Sequence, residues 1–128
     1  MPLVRIDLVE GKPPEYCRGI GDVVYDAMVE VLKVPKDDRF QVITEHPPRG
    51  LIADENYLGV KRSKDCVFIQ ITLNVGRSVE QKREFYGAVA NGLHRRLGVR
   101  MEDVFINLVE VPKENWSFGN GEAQYAGH

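Results

Sequence analysis

The chain has 128 residues, 43% hydrophobic and 28% charged, the balance of a globular protein long enough to bury about two-thirds of its unfolded surface in one domain. Seventeen basic residues against 19 acidic ones leave a net charge of −2 with no basic stripe, which argues against nucleic acid and for a small-molecule ligand. No apolar run approaches the roughly 18–20 residues of a membrane span, and the opening MPLVRIDLVEG carries acids too early for a secretory signal, so no membrane partner is expected and the expected compartment is the cytoplasm.

Pro2, Val4, Ile6 and Leu8 alternate with Leu3, Arg5 and Asp7, the two-residue period of a strand. Gly11 and Pro13–Pro14 break it. Ile20, Val23, Val24, Ala27, Met28, Val31 and Leu32 then recur at helical spacing until Pro35, predicting an amphipathic helix. A second strand is predicted from Phe40 to Glu45, and residues 48–66 read as a polar connection with Pro, Gly and Asn. Val67 to Val75 predicts a third strand. Ser78, followed by Glu80 and Gln81, is a helix N-cap, and Phe85, Ala88, Val89, Gly92, Leu93 and Leu97 share one helical face. A fourth strand follows from Val104 to Val111, then a tail over 113–128.

The order strand, helix, strand occurs twice because the sequence repeats. A shift of 65 positions aligns residues 2–47 with 67–112 without a gap, and twelve of the 46 pairs are identical, among them Ile6/Ile71, Gly11/Gly76, Asp38/Asp103 and Phe40/Phe105. Composition alone would give about three. A helix crossover between strands of one sheet makes them parallel. The expected fold class is therefore α/β (α+β), a tandem β-α-β repeat in a single domain 1–128, forming a four-stranded sheet with two helices on one face. The fourth strand is apolar on both faces, with Val104, Ile106 and Leu108 one way and Phe105, Val109 and Val111 the other. Two helices cover one side only. Either an oligomer or the C-terminal tail must cover the other.

Chemistry-bearing residues are few. Cys17 and Cys66 match neither a metal-ligand spacing nor a CxxC motif and read as unpaired thiols, and no metal or cofactor is expected. Met1 followed by the small Pro2 predicts trimming to a free secondary amine in a rigid ring. An α-amino group titrates near 7.7–8.0, and an apolar pocket or a nearby cation would draw it towards neutrality, where it can take and return a proton. The counterpart of Pro2 in the repeat is Val67, at the start of a strand, so the amine should be held at a sheet edge. Asp38 lies just before the second strand, at the edge where the first begins. It reads as a partner of Pro2 or as a turn residue like its counterpart Asp103. If a pseudo-twofold axis relates the repeats, the third strand ends near Pro2 and brings Arg77 with it. There a guanidinium beside a helix N-terminus could cradle a carboxylate, or could simply be solvated.

The initial Met-Pro, the tandem plan, GRSVEQK at 76–82, the Asp38-Arg39-Phe40-Gln41 segment and DVFINLVEVPKENWSFGNGEAQYA at 103–126 together resemble the tautomerase superfamily over essentially the whole chain. The malonate semialdehyde decarboxylase-like group is the nearest in pattern. The resemblance implies a homotrimer without metal or organic cofactor that acts on a small carboxylate. It implies Pro2 as catalytic amine, Asp38 as its assistant, Arg77 as carboxylate binder, and Phe118 and Tyr125 on the pocket wall, with Trp116 as packing. Two reactions are implied: keto–enol tautomerisation of a 2-oxo or enol carboxylate, or decarboxylation of a 3-oxo acid such as malonate semialdehyde. A catalytically vestigial binding protein is the third reading. One departure stands out: Val75 occupies the position of a second arginine in the decarboxylases. His46, His94 and His128 do not fall in the first helix, where the dehalogenase branches carry a histidine.

Overall fold

The computed structural model describes residues 2–126. The expected trimming of Met1 and the placement of His128 therefore lie outside the described residues. The alternating start forms β1 (Leu3–Val9), followed by α1 (Pro14–Glu30), β2 (Gln41–His46), β3 (Val67–Asn74), α2 (Val79–Leu97) and β4 (Val104–Val111). Pro14 opens α1, where a missing N–H costs nothing. At its far end Lys33 adopts φ 59°, and the Val34 N–H returns to the Met28 carbonyl at 3.2 Å. Ser78 caps α2 in a reciprocal box with Gln81, and Gly98 closes it in the left-handed region at φ 70°.

The sheet order is β2-β1-β3-β4. Within each repeat the strands are parallel, and the two repeats meet antiparallel through β1 and β3, as a local twofold axis requires. Registers of Val4 with Gln41 and Leu3 with Thr72 bring the starts of β1 and β2 to the same end of the sheet as the finish of β3. Val4, Ile6 and Leu8 of β1 and Val67, Ile69, Ile71 and Leu73 of β3 are buried under Ile20, Val24 and Met28 of α1 and Phe85, Val89 and Leu93 of α2. Each such side chain stabilises the fold by about 1.5–3 kcal/mol. The helices touch where Gly92 leaves room for Val23, whose Cγ1 would lie 2.8 Å from any Cβ built there.

The opposite face of the sheet is open. Phe105, Val42 and Val109 are 45%, 40% and 39% exposed, Phe68 meets Phe105 edge-on at 5.1 Å, and Asp7 pairs with His46 at 2.6 Å. The alternative in which the tail covers this face does not hold among the described residues. β4 delivers the tail to the Pro2 end of the sheet, where Trp116 hydrogen-bonds the last residue of β3. Cys17 and Cys66 are free. Among the described residues no helix is long and apolar enough to cross a membrane.

Candidate active site

Pro2 is buried in a cleft of about 240 Å³ that it shares with Leu3, Phe40, Trp116, Ser117 and Phe118. Three segments build this space: the start of β1, the lead into β2, and the tail after β4. The strand register dictates the meeting. The Val4 N–H bonds the Phe40 carbonyl at 3.0 Å, which draws residues 38–40 alongside Pro2.

The Asp38–Gln41 segment is moored to α1. Arg39 places Nη2 2.7 Å from Asp22 Oδ1 and 3.2 Å from Gln41 Oε1, and its guanidinium lies over the Tyr25 ring at 4.8 Å. Gln41 donates Nε2 to the Gly21 carbonyl at 2.9 Å. Gly21 leaves room for this contact, because a Cβ there would sit 2.5 Å from Gln41 Oε1 and the glutamine would have to shift. Arg39 and Gln41 are thus structural anchors, and they hold a half-buried Asp38 at the Pro2 end with Oδ1 shielded from solvent. Its repeat counterpart behaves differently. Asp103 is buried and accepts from the Ser63 N–H at 2.7 Å and the Ser63 hydroxyl at 2.5 Å, pinning the connection.

Arg77 lies at the same end of the sheet. Its Nη1 donates to the Asn74 carbonyl at 3.1 Å and its Nη2 to the Leu32 carbonyl at 3.4 Å, so the arginine before α2 is tied to the turn that follows α1. Five N–H donors serve a guanidinium, which leaves others to meet an anion. Trp116 donates Nε1–H to Asn74 Oδ1 at 2.8 Å and stacks on Phe118 with centroids 5.5 Å apart. Phe118 lines the cleft. Tyr125 reaches it only through Phe118, edge-on at 4.8 Å, and Gln124 fixes this turn by bonding the Phe118 N–H and the Gly119 carbonyl. Val75 points outward, 58% exposed.

Sequence reasoning did not single out Asn74, and it treated Trp116 as packing. Neither position carries a spacing signal, because their contact depends on where the tail lands. The remaining polar chemistry is elsewhere. Cys17 sits at the opposite end of the sheet, 3.0 Å from Glu45, and burial, then the Glu45 hydrogen bond and charge, push its thiol up to about 11. His94 is exposed and contacts the Val99 carbonyl. Among the described residues no group of three potential metal ligands forms.

A buried proline, a carboxylate, a guanidinium and an apolar aromatic wall at one sheet end suit a small anion with a carbonyl. Two family models described as tautomerase enzyme match the chain, over residues 38–119 and 2–61. The probable tautomerase YusQ of Bacillus subtilis (strain 168) is 40% identical over 124 residues, 97% of this chain and 98% of its own. Among solved structures, FG41 malonate semialdehyde decarboxylase inhibited by 3-bromopropiolate superposes with TM-score 0.90 and 43% identity, covering 96% of this chain and 93% of that one. Another malonate semialdehyde decarboxylase, described for its decarboxylase and hydratase activities, also gives TM-score 0.90, with 33% identity over 96% of this chain and 95% of its own.

Proposed function

The chain belongs to the tautomerase family, and on that footing we propose that it moves a proton within a small 2-oxo or enol carboxylate, using the amine of Pro2 freed by removal of Met1. The observation that carries this reading is the burial of Pro2 in an aromatic-walled cleft at the sheet end where Arg77 and Asp38 also lie. Arg77 binds the carboxylate. The neutral Pro2 nitrogen takes the proton from the enol oxygen as the C–O bond becomes a carbonyl and the electron pair of the double bond shifts to carbon. The same nitrogen then returns the proton to that carbon, so nothing is gained or lost. Asp38 orients the amine. A positioned proton shuttle of this kind contributes about 10²–10⁴-fold.

A second reading has its own support. The 43% identity and TM-score of 0.90 with FG41 malonate semialdehyde decarboxylase favour loss of carbon dioxide from a 3-oxo acid. The apolar Val75 leaves such a reaction to Arg77 alone. Self-association as a homotrimer completes the proposal, supported by the open sheet face around Phe105 and Val109.

Purified protein offered an enolpyruvate and 3-oxopropanoate separates the reactions: ketonisation of the first supports the main reading, decarboxylation of the second alone supports the other. In either case Pro2→Ala is expected to lower turnover by about 10²–10⁴-fold. Full activity of that variant would refute the amine's role.

A further inference from the structure

We propose that Asn74 is a positioning residue that fixes the Trp116 wall of the Pro2 cleft against the Arg77 guanidinium, and thereby sets how tightly a small carboxylate is held. The inference rests on the proposed function for its substrate, and on geometry alone for its structural part. Asn74 is the last residue of β3 and only 9% exposed. It is bonded at both ends. Its side-chain Oδ1 accepts the Trp116 indole N–H at 2.8 Å, and its main-chain carbonyl accepts Arg77 Nη1 at 3.1 Å.

One residue therefore links the cation that precedes α2 to an aromatic on the tail. The tail leaves β4 through a single turn of 3-10 helix at Lys113–Asn115, and a free tail could carry Trp116 along many paths. A half-buried indole N–H requires an acceptor, and Asn74 supplies it where Trp116 can both line the cleft and stack on Phe118. An apolar residue of similar size at position 74 would leave that N–H unpaired. It would push the indole outward to find water and take Phe118 with it.

The test uses the full chain and three variants. Asn74→Leu removes the acceptor, Asn74→Asp retains an oxygen at the same reach, and Trp116→Phe removes the donor. Asn74→Leu is expected to raise KM for the turned-over carboxylate about tenfold, the order for a buried donor deprived of its acceptor, with kcat changed by less than about threefold. Asn74→Asp should restore most of the loss. The Asn74→Leu/Trp116→Phe double variant should be no worse than the poorer single one, because both delete the same contact. The chain has a single tryptophan, so its emission follows the contact without turnover. Asn74→Leu should shift it to longer wavelength, and Asn74→Asp should not. An unshifted emission in folded Asn74→Leu, or additive losses in the double variant, would overturn the proposal. Lack of turnover by the wild-type chain on either carboxylate would instead defeat the proposed function, leaving the emission result to decide the role of Asn74.

Discussion

Arg77→Lys keeps a positive charge but replaces a planar fork with a point charge. A single ammonium nitrogen cannot reproduce the contacts that Nη1 and Nη2 make separately with the Asn74 and Leu32 carbonyls and still hold an anion in the same geometry. KM for the carboxylate should rise about ten- to a hundredfold, the loss expected for a hydrogen bond to a charged group; a variant with unchanged KM would remove Arg77 from the binding site. Cys17 offers a separate check on the local electrostatics. Its thiol is held neutral up to about 11 in the folded chain against an ordinary 9.0, by burial first and by Glu45 second. The folded state therefore keeps its proton when the unfolded state has lost it. The resulting stabilisation is complete below pH 9 and declines as pH rises from 9 to about 11. Alkylation of native protein should stay slow until pH nears 11, and Cys17→Ala should flatten the fall in the urea midpoint between pH 9 and 11. Equal slopes in the two proteins would contradict this.

At the level of elements, periodicity placed the four strands and α2 within about a residue, because each buries one face and the apolar spacing of Val4, Ile6 and Leu8 or of Phe85, Val89 and Leu93 records it. α1 differs, since it starts at Pro14, which reads as a break, and ends at Glu30, before Val31, Leu32 and Pro35. The repeat supplied what periodicity cannot: two equivalent units imply a twofold axis, and the axis puts Arg77 at the Pro2 end. The lead into β2 was legible only as a motif. Arg39 and Gln41 enter the sequence reading only as members of that motif, and the structure turns them inward to Asp22 and Gly21. That mooring predicts the effect of Gly21→Ala. A new Cβ 2.5 Å from Gln41 Oε1 must displace the glutamine, at about 1–3 kcal/mol for overpacking, against about 1 kcal/mol returned by the better helix former. Denaturant titration should show a net loss of about 1 kcal/mol, largely recovered in Gly21→Ala/Gln41→Ala. A stabilised single variant would show that the anchor does not hold the segment.

For the whole molecule, β4 announced two apolar faces, and the structure leaves one of them uncovered. Phe105, on the edge strand β4, stands on that face against Phe68. Phe105→Glu would bury a charge in any interface there, and sedimentation should find monomers of that variant against the trimer proposed for the wild-type chain. A wild-type monomer would contradict the proposed assembly. The tail was the least legible part. Its Trp116 meets Asn74 across 42 residues, and no local pattern encodes a contact of that range. The central claim, that the ring nitrogen of Pro2 is the working group, is tested most directly by comparing two forms of the same chain. One begins at Pro2 and the other retains Met1, each verified by intact mass, and each is assayed on the carboxylate that the wild-type protein turns over. The account predicts that turnover belongs to the form with the free amine and falls at least about a hundredfold when Met1 blocks it; equal turnover by both forms would contradict it.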